Sequence, residues 1–234
     1  PTPPPPPTPT KKNIFLMIRR PPRSTRLNCR RQRQMCIRDR LWMRSLVMVD
    51  VETKTEWSHL LGRGMAGELK GAVLEPVVSD MVTWVAWLNA NPGTSVLNMK
   101  RTTEYSSRDF YRDLERFVFG FEVGGKFWHV TMAQLVEKPV HTFNVGGQHL
   151  VLAFDASGMV VRVFEATVDE RDLDFVAMDT DHMQDAQTNS TWSIAAGEAI
   201  RGPHAGSRLE QRVGIMSFKS AWVKFHPRST EIAF

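Results

Sequence analysis

The chain has 234 residues, 42% of them hydrophobic, enough for a core of ordinary size in one large domain or two small ones. Its formal charge of +5 invites a nucleic-acid or anionic-membrane partner, but the charge is not spread along the chain. Residues 1–40 hold eleven of the thirty Lys and Arg against one acid, Asp39, which leaves 19 basic and 24 acidic groups from residue 41 onward, a net of −5. Nucleic-acid binding therefore has no electrostatic footing in the body of the protein.

The first forty residues also hold nine of the fourteen prolines, a short apolar patch at 14–18 and Arg-rich text with neither a 2.0 nor a 3.6 period. Such a stretch has no face to bury. Its wording resembles translated sequencing-adapter read-through at the end of a metagenomic reading frame, so we expect residues 1–40 to be non-native and unstructured and set them aside from the fold. The apolar patch is too short for a secretory signal. Both cysteines, Cys29 and Cys36, lie in this segment, so the body offers no disulfide, thiolate zinc site or Cys nucleophile. No apolar run approaches the roughly 18 residues of a membrane helix. Localisation stays open, an extracytoplasmic one included.

From residue 41 the chain repeats itself. At an offset of 135, residues 48–97 align with 183–232 without a gap: Asp50 with Asp185, Thr53 with Thr188, Trp57-Ser58 with Trp192-Ser193, Gly67 with Gly202, Leu74-Glu75 with Leu209-Glu210, Trp87 with Trp222, Pro92 with Pro227. Turn, anchor and helix-stop residues recurring in register imply a shared backbone path. Each unit reads as a strand near 45–49 or 175–178, a polar turn, a Trp-Ser strand, then short glycine-punctuated strands at 65–67 and 73–78 or 200–202 and 208–213. A short amphipathic helix follows. Phe218, Ala221, Trp222 and Phe225 set its face in the second unit with Ser217 as N-cap, and Asp80 caps its counterpart, which stops at Asn91-Pro92. By this reading Trp57 and Trp192 are buried equivalents, as are Trp87 and Trp222.

Between the units, 118–123 and 126–130 form a hairpin through Gly124-Gly125. A helix over 131–137 and strands at 140–145, 148–154 and 159–165 come next, joined by turns at Gly146-Gly147 and 155–158. This is the front half of the second repeat, and its counterpart at the same offset would precede the chain, so the first repeat is expected to be headless. The expected fold is mainly β (α+β): two internal repeats of short strands and hairpins, each ending in a short amphipathic helix. The divisions are 1–40, 41–113 as the back half of the first repeat plus linker, and 114–234 as the complete second repeat. An open sheet edge in the first repeat would invite self-association.

Val123-Gly124-Gly125, Asn144-Val145-Gly146-Gly147, Thr191-Trp192-Ser193, the run from Gly197 through Pro203, and Phe225-His226-Pro227 together resemble the DUF3179 family, over about 190 residues. The resemblance implies a β-rich repeat fold and no established activity. Family members carry a Cys-Pro-Leu-Cys-Gly-like element, whose place in the second repeat is taken by Phe154-Asp155-Ala156-Ser157-Gly158, so no thiol or metal chemistry carries over to this chain.

Other signals are weak. Gly62, Gly64 and Gly67 match a dinucleotide-binding pattern, but no helix follows and Ala199 replaces the middle glycine in the repeat. The acids and histidine of 179–185 lack a calcium-loop pattern and read as a solvated approach to a hairpin. The seven histidines show no ligand spacing. Trp57, Ser58, Glu75, Trp192, Ser193 and Glu210 remain as repeat anchors or surface residues, with no cofactor and no metal expected. A non-catalytic binding or structural module for an unknown ligand or protein is the expected function. The alternative is an enzyme whose thiol or metal element lies upstream.

Overall fold

The computed structural model describes residues 41–42, 45–95 and 113–234, and residues 1–40, with the expectation attached to them, lie outside it. The chain is mainly β, as expected, and falls into two compact bodies. One is built on residues 46–59 and 63–73, the other chiefly on Leu74–Phe234.

The first body is an antiparallel meander of β1 (Leu41–Trp42), β2 (Ser45–Val49), β3 (Glu56–Ser58) and β4 (Arg63–Ala66), in that order. Met48 faces Trp57 across the first hairpin, and the ladder slips by one residue between Glu56 and Trp57.

In the second body, α1 (Trp84–Ala90) comes first, capped by Thr83, whose side chain accepts from the Ala86 amide. The expected cap, Asp80, sits a turn too early. Strands β5 (Phe117–Val123) and β6 (Lys126–Thr131) then form the anticipated hairpin. Thr131 and Gln134 make a reciprocal capping box at the start of α2 (Met132–Glu137), two orphan amides being satisfied at once. Strands β7 (Val140–Val145), β8 (Gln148–Asp155) and β9 (Val160–Glu165) follow as a meander.

Strand β8 is where the two cores of this body meet. Leu150, Leu152 and Phe154 enter the core shared with β5, β6 and α2, while Val151 and Ala153 enter the one around Trp192. A period of two with both faces apolar makes a strand buried on both sides, which explains the unbroken hydrophobic run.

A small hairpin that the sequence did not announce, β10 (Thr167–Val168) and β11 (Arg171–Asp172), leads to the second meander. Its strands are β12 (Phe175–Ala177), β13 (His182–Asp185), β14 (Thr191–Ser193) and β15 (Ala199–Arg201). Met183 faces Trp192, and the ladder slips between Thr191 and Trp192. These positions match the first body residue for residue at the offset of 135. The expected pairing of 45–49 with 175–178 is therefore corrected: β2 corresponds to β13, and β1 to β12.

Strand β16 (Gln211–Arg212) joins β9, and β17 (Gly214–Phe218) joins β5 before α3 (Lys219–Phe225) and the short parallel β18 (Thr230–Glu231). Phe218, not Ser217, holds the N-cap of α3; its backbone is still paired with Phe117, and its phenyl ring has no acceptor to offer a cap bond. The expected strand at 73–78 does not form beyond one bridge, Val73 to Arg63. The position equivalent to Gln211 is Pro76, which has no amide to give.

Helices α1 and α3 start and stop at equivalent positions, and both tryptophans cap themselves: Trp87 Nε1 donates to Thr94 Oγ1 at 2.9 Å and Trp222 Nε1 to Ser229 Oγ at 2.8 Å. Their burial differs. Trp222 is 2% exposed and Trp87 43%, which overturns the expectation of two equivalent buried rings. In the second repeat, residues 214–218 pair with β5, and Trp222 lies over Gly120 so closely that a Cβ there would stand 2.4 Å from the indole. Residues 79–83 form no strand and α1 has no buried residue. Trp222→Ala should therefore cost about 3–5 kcal/mol in urea unfolding, whereas Trp87→Ala should cost less than about 1 kcal/mol. Equal losses would contradict the difference in cover.

Candidate functional site

The recurring residues converge on one arrangement, present once in each body. Asp50 is buried, with no cation beside it among the described residues. Its Oδ2 accepts from Trp57 Nε1 (2.9 Å), Thr53 Oγ1 (2.7 Å) and the Thr55 amide (3.2 Å), and its Oδ1 from the Thr53 amide (2.6 Å). In the second body Asp185, 0% exposed, accepts from Trp192 Nε1 (2.9 Å), the Ser190 amide (3.0 Å), and the Thr188 amide and hydroxyl. Burial pushes the Asp50 carboxyl up, but the hydrogen bonds from Thr53, Trp57 and Thr55 outweigh it and hold it at about 2. Burial likewise opposes ionisation of Asp185, and bonds from Trp192, Thr188 and Ser190 carry it below the usual range.

The turn is shaped for this purpose. Lys54 and Asn189, equivalent positions, both have φ near +60°. That bend lets the next amide double back to the carboxylate. Thr55 Oγ1 then accepts the Leu69 amide at 3.0 Å, and Ser190 Oγ the His204 amide at 3.2 Å, tying the following loop to the hairpin. Gly67 and Gly202 pass over these residues at φ near +100°, where a Cβ would come within 2.7 Å of Thr55 Cα or Ser190 Cα. Gly64 and Gly67 of the dinucleotide-like pattern thus serve close backbone approach, and Gly62 a positive φ. Asp185 also corrects the reading of 179–185 as a solvated approach: its last residue is a fully buried hub, and only the stretch of Asp179 and His182, 2.9 Å apart, is open to solvent.

Trp57 and Trp192 are buried and anchor these hubs. Ser58 is buried beside Trp57, and Ser193 Oγ accepts the Ala196 amide at 3.3 Å. Glu75 and Glu210 are exposed. Among the described residues, no group of three or more His, Cys, Asp or Glu is placed to hold a metal ion.

Two polar clusters escape sequence reasoning because their members are far apart in the chain. Arg162, buried on β9, donates from Nε (2.8 Å) and Nη2 (2.6 Å) to Asp80, which also accepts from Gln211 Nε2 (3.0 Å). The Thr83 amide bonds to Gly158 O at 3.0 Å, so the segment leading into α1 is pinned to the β8–β9 turn. Arg162 is buried while Asp80 stays partly open to solvent, so the pair is screened on the carboxylate side.

The second cluster has the composition of a catalytic triad. Ser229 Oγ lies 2.8 Å from His129 Nδ1, and His129 Nε2 lies 3.8 Å from Glu231 Oε2. An indole can only donate, so the Ser229 oxygen accepts from Trp222, while the direction of its bond with His129 Nδ1 follows the imidazole tautomer. Thr94 accepts from Trp87 in the equivalent place, with its hydroxyl in the same cap.

Burial holds three histidines below their usual pKa: His129, His226, which stacks on Phe127 at 3.9 Å, and His141, brought to about 4 by burial and by Lys138 and stacked on Phe234 at 4.1 Å.

The family model described as Protein of unknown function (DUF3179) matches residues 24–115 and 104–229, the first match opening inside the segment set aside on sequence grounds. No curated protein and no solved structure matches the chain.

The histidines set a pH dependence. Their folded pKa lies below the unfolded value near 6.5, so the unfolded chain takes up protons first and stability, full above that value, falls as pH drops toward 4. Asp50 and Asp185, shifted down, lose their contribution only below their ordinary value of 3.8, outside this window. The melting temperature should fall steadily from pH 7.5 to 4.5, and His141→Phe should flatten that fall. A flat profile, or an unchanged slope in the variant, would show that His141 is not held neutral by burial.

Proposed function

We propose that this chain, which belongs to the DUF3179 family, is a non-catalytic binding or structural module that presents a surface on a duplicated, rigid scaffold. One observation carries the reading: in both repeats the recurrent Asp, Thr and Trp are committed to the same internal hydrogen bonds, down to equivalent atoms. Residues that act on a substrate need a lone pair or proton directed outward. These are directed inward, where they hold a hairpin closed. Beside the scaffold, the exposed side chains of Val77, Met81, Trp84, Val85 and Trp87 supply apolar contact surface.

The second reading, an enzyme, finds its one support in this chain in the Ser229, His129 and Glu231 alignment. Under it Ser229 Oγ would be a nucleophile and His129 its base. Under the module reading Ser229 is a cap for Trp222, as Thr94 is for Trp87. Treatment of the full chain with a fluorophosphonate separates the two. Ser229 should remain unlabelled, Ser229→Ala should lose about 1 kcal/mol of stability, and Ser229→Thr should keep it. Covalent labelling at Ser229 that His129→Phe abolishes would sink the module reading in favour of the enzyme.

A further inference from the structure

The two repeats differ systematically in the segment that leads into and opens the last helix. At equivalent positions the second repeat carries Arg212, Lys219 and Ser220 where the first carries Val77, Trp84 and Val85. Ser220 is exposed, while Arg212 and Lys219 are about a third open, Arg212 paired with Glu165 and Lys219 with Glu231 at 3.0 Å. The apolar set is more open: Val77 is 77% exposed, Trp84 51% and Val85 67%. Trp84 and Val85 are not counterparts of the residues that α3 buries, so the hairpin that covers Trp222 would not cover them, whereas the counterpart of Val77 is Arg212, on the strand paired with β9.

We infer that this face, Val77, Trp84 and Val85 with Met81 and Trp87 at its margin, is the interface through which a second copy of this chain binds. The proposal rests on the module reading and names its partner. Three observations favour a second copy. First, the face lacks charge: residues 74–92 contain only Glu75 and Asp80 as ionisable groups, and Asp80 is engaged by Arg162. A charged ligand, nucleic acid or acidic peptide would find nothing to pair with, whereas a face meeting its own copy needs no complementary charge.

Second, the face is large enough. Taking roughly 150–250 Å² for a whole aromatic ring and somewhat less for an aliphatic chain, the open parts of these side chains and Val78 amount to on the order of 600 Å². That equals the upper end of the largest patch on an ordinary monomer, about 300–600 Å². It is most of the ~800 Å² per partner that a stable interface takes. Third, the face is held in place before binding. Thr83 caps α1 and bonds to Gly158, and Asp80 is clamped by Arg162 and Gln211, so little order remains to be imposed on association.

The test restores to the first repeat the residues of the second. Sedimentation velocity of the full chain between about 1 and 100 µM should show a monomer–dimer equilibrium, and the triple variant V77R, W84K and V85S should weaken it at least tenfold. Its circular dichroism and melting temperature should stay as in the parent, because those residues already occupy these positions in the second repeat. A parallel variant, Lys219→Ala, should dimerise like the parent and control for surface change. A parent that is monomeric throughout, or a dimer that persists in the folded triple variant, would overturn the inference. Neither result bears on fluorophosphonate labelling of Ser229, so failure of the interface and failure of the module reading are separately visible.

Discussion

A buried carboxylate held by an indole and by its own turn is the interaction on which each repeat is built. Taking an ion out of water costs several kcal/mol even after relaxation. Hydrogen bonds to a charged acceptor return about 1.5–3 kcal/mol each, and Asp50 and Asp185 each collect four of them, from equivalent donors. Loss of any one donor leaves the desolvation in place. The arrangement therefore constrains everything near it: the left-handed residue at Lys54 or Asn189, the hydroxyl at Thr55 or Ser190, the glycine passing at Gly67 or Gly202, and the slip in the ladder before the Trp. A tryptophan is needed at Trp57 and Trp192 because it both fills the core and donates from its edge.

What the hub does not determine is the far end of the repeat. Helices α1 and α3 have the same limits and the same indole-to-hydroxyl cap, because these depend on residues within a turn or two. Cover is a matter of distant strands. Trp222 has β5 beneath it, with Gly120 leaving room for the ring, while Trp87 and the outward Trp84 and Val85 stay exposed. One local structure thus gives a sealed end in one repeat and an apolar surface in the other.

Much of this was legible from residue order. The offset of 135 and the Gly-Gly hairpin turns are local signals, and the strands from 118 to 165 followed from them. The β10–β11 turn was not, since it places Asp169 and Glu170 at positive φ, where a glycine or asparagine would have given notice. Asp80 and Ser217 look like caps by composition, but each is engaged elsewhere: Arg162 and Gln211 hold the Asp80 carboxylate, and the Ser217 backbone is still in the β5 ladder. The burial of Asp185 was hidden because an acid among Asp179 and Asp181 reads as solvated, and only its alignment with Asp50 and the invariant spacing of seven to the Trp pointed inward. Ser229 and His129, a hundred residues apart, carry no local signal at all.

The membership in DUF3179 and the β-rich duplicated fold make a scaffold whose recurrent polar residues work for the structure itself. The central claim is that Asp185 and Trp192 act as one unit, and a double-mutant cycle of Asp185→Asn and Trp192→Phe, read by urea unfolding, tests it most directly. Phenylalanine keeps most of the ring and removes the donor, and asparagine keeps the shape and removes the charge. Partners in one buried network couple by about 0.5–3 kcal/mol, and we expect the upper half of that range, with the double variant far less destabilised than the sum of the single ones. Additive losses would mean that the indole and the carboxylate are merely neighbours, and would contradict the account.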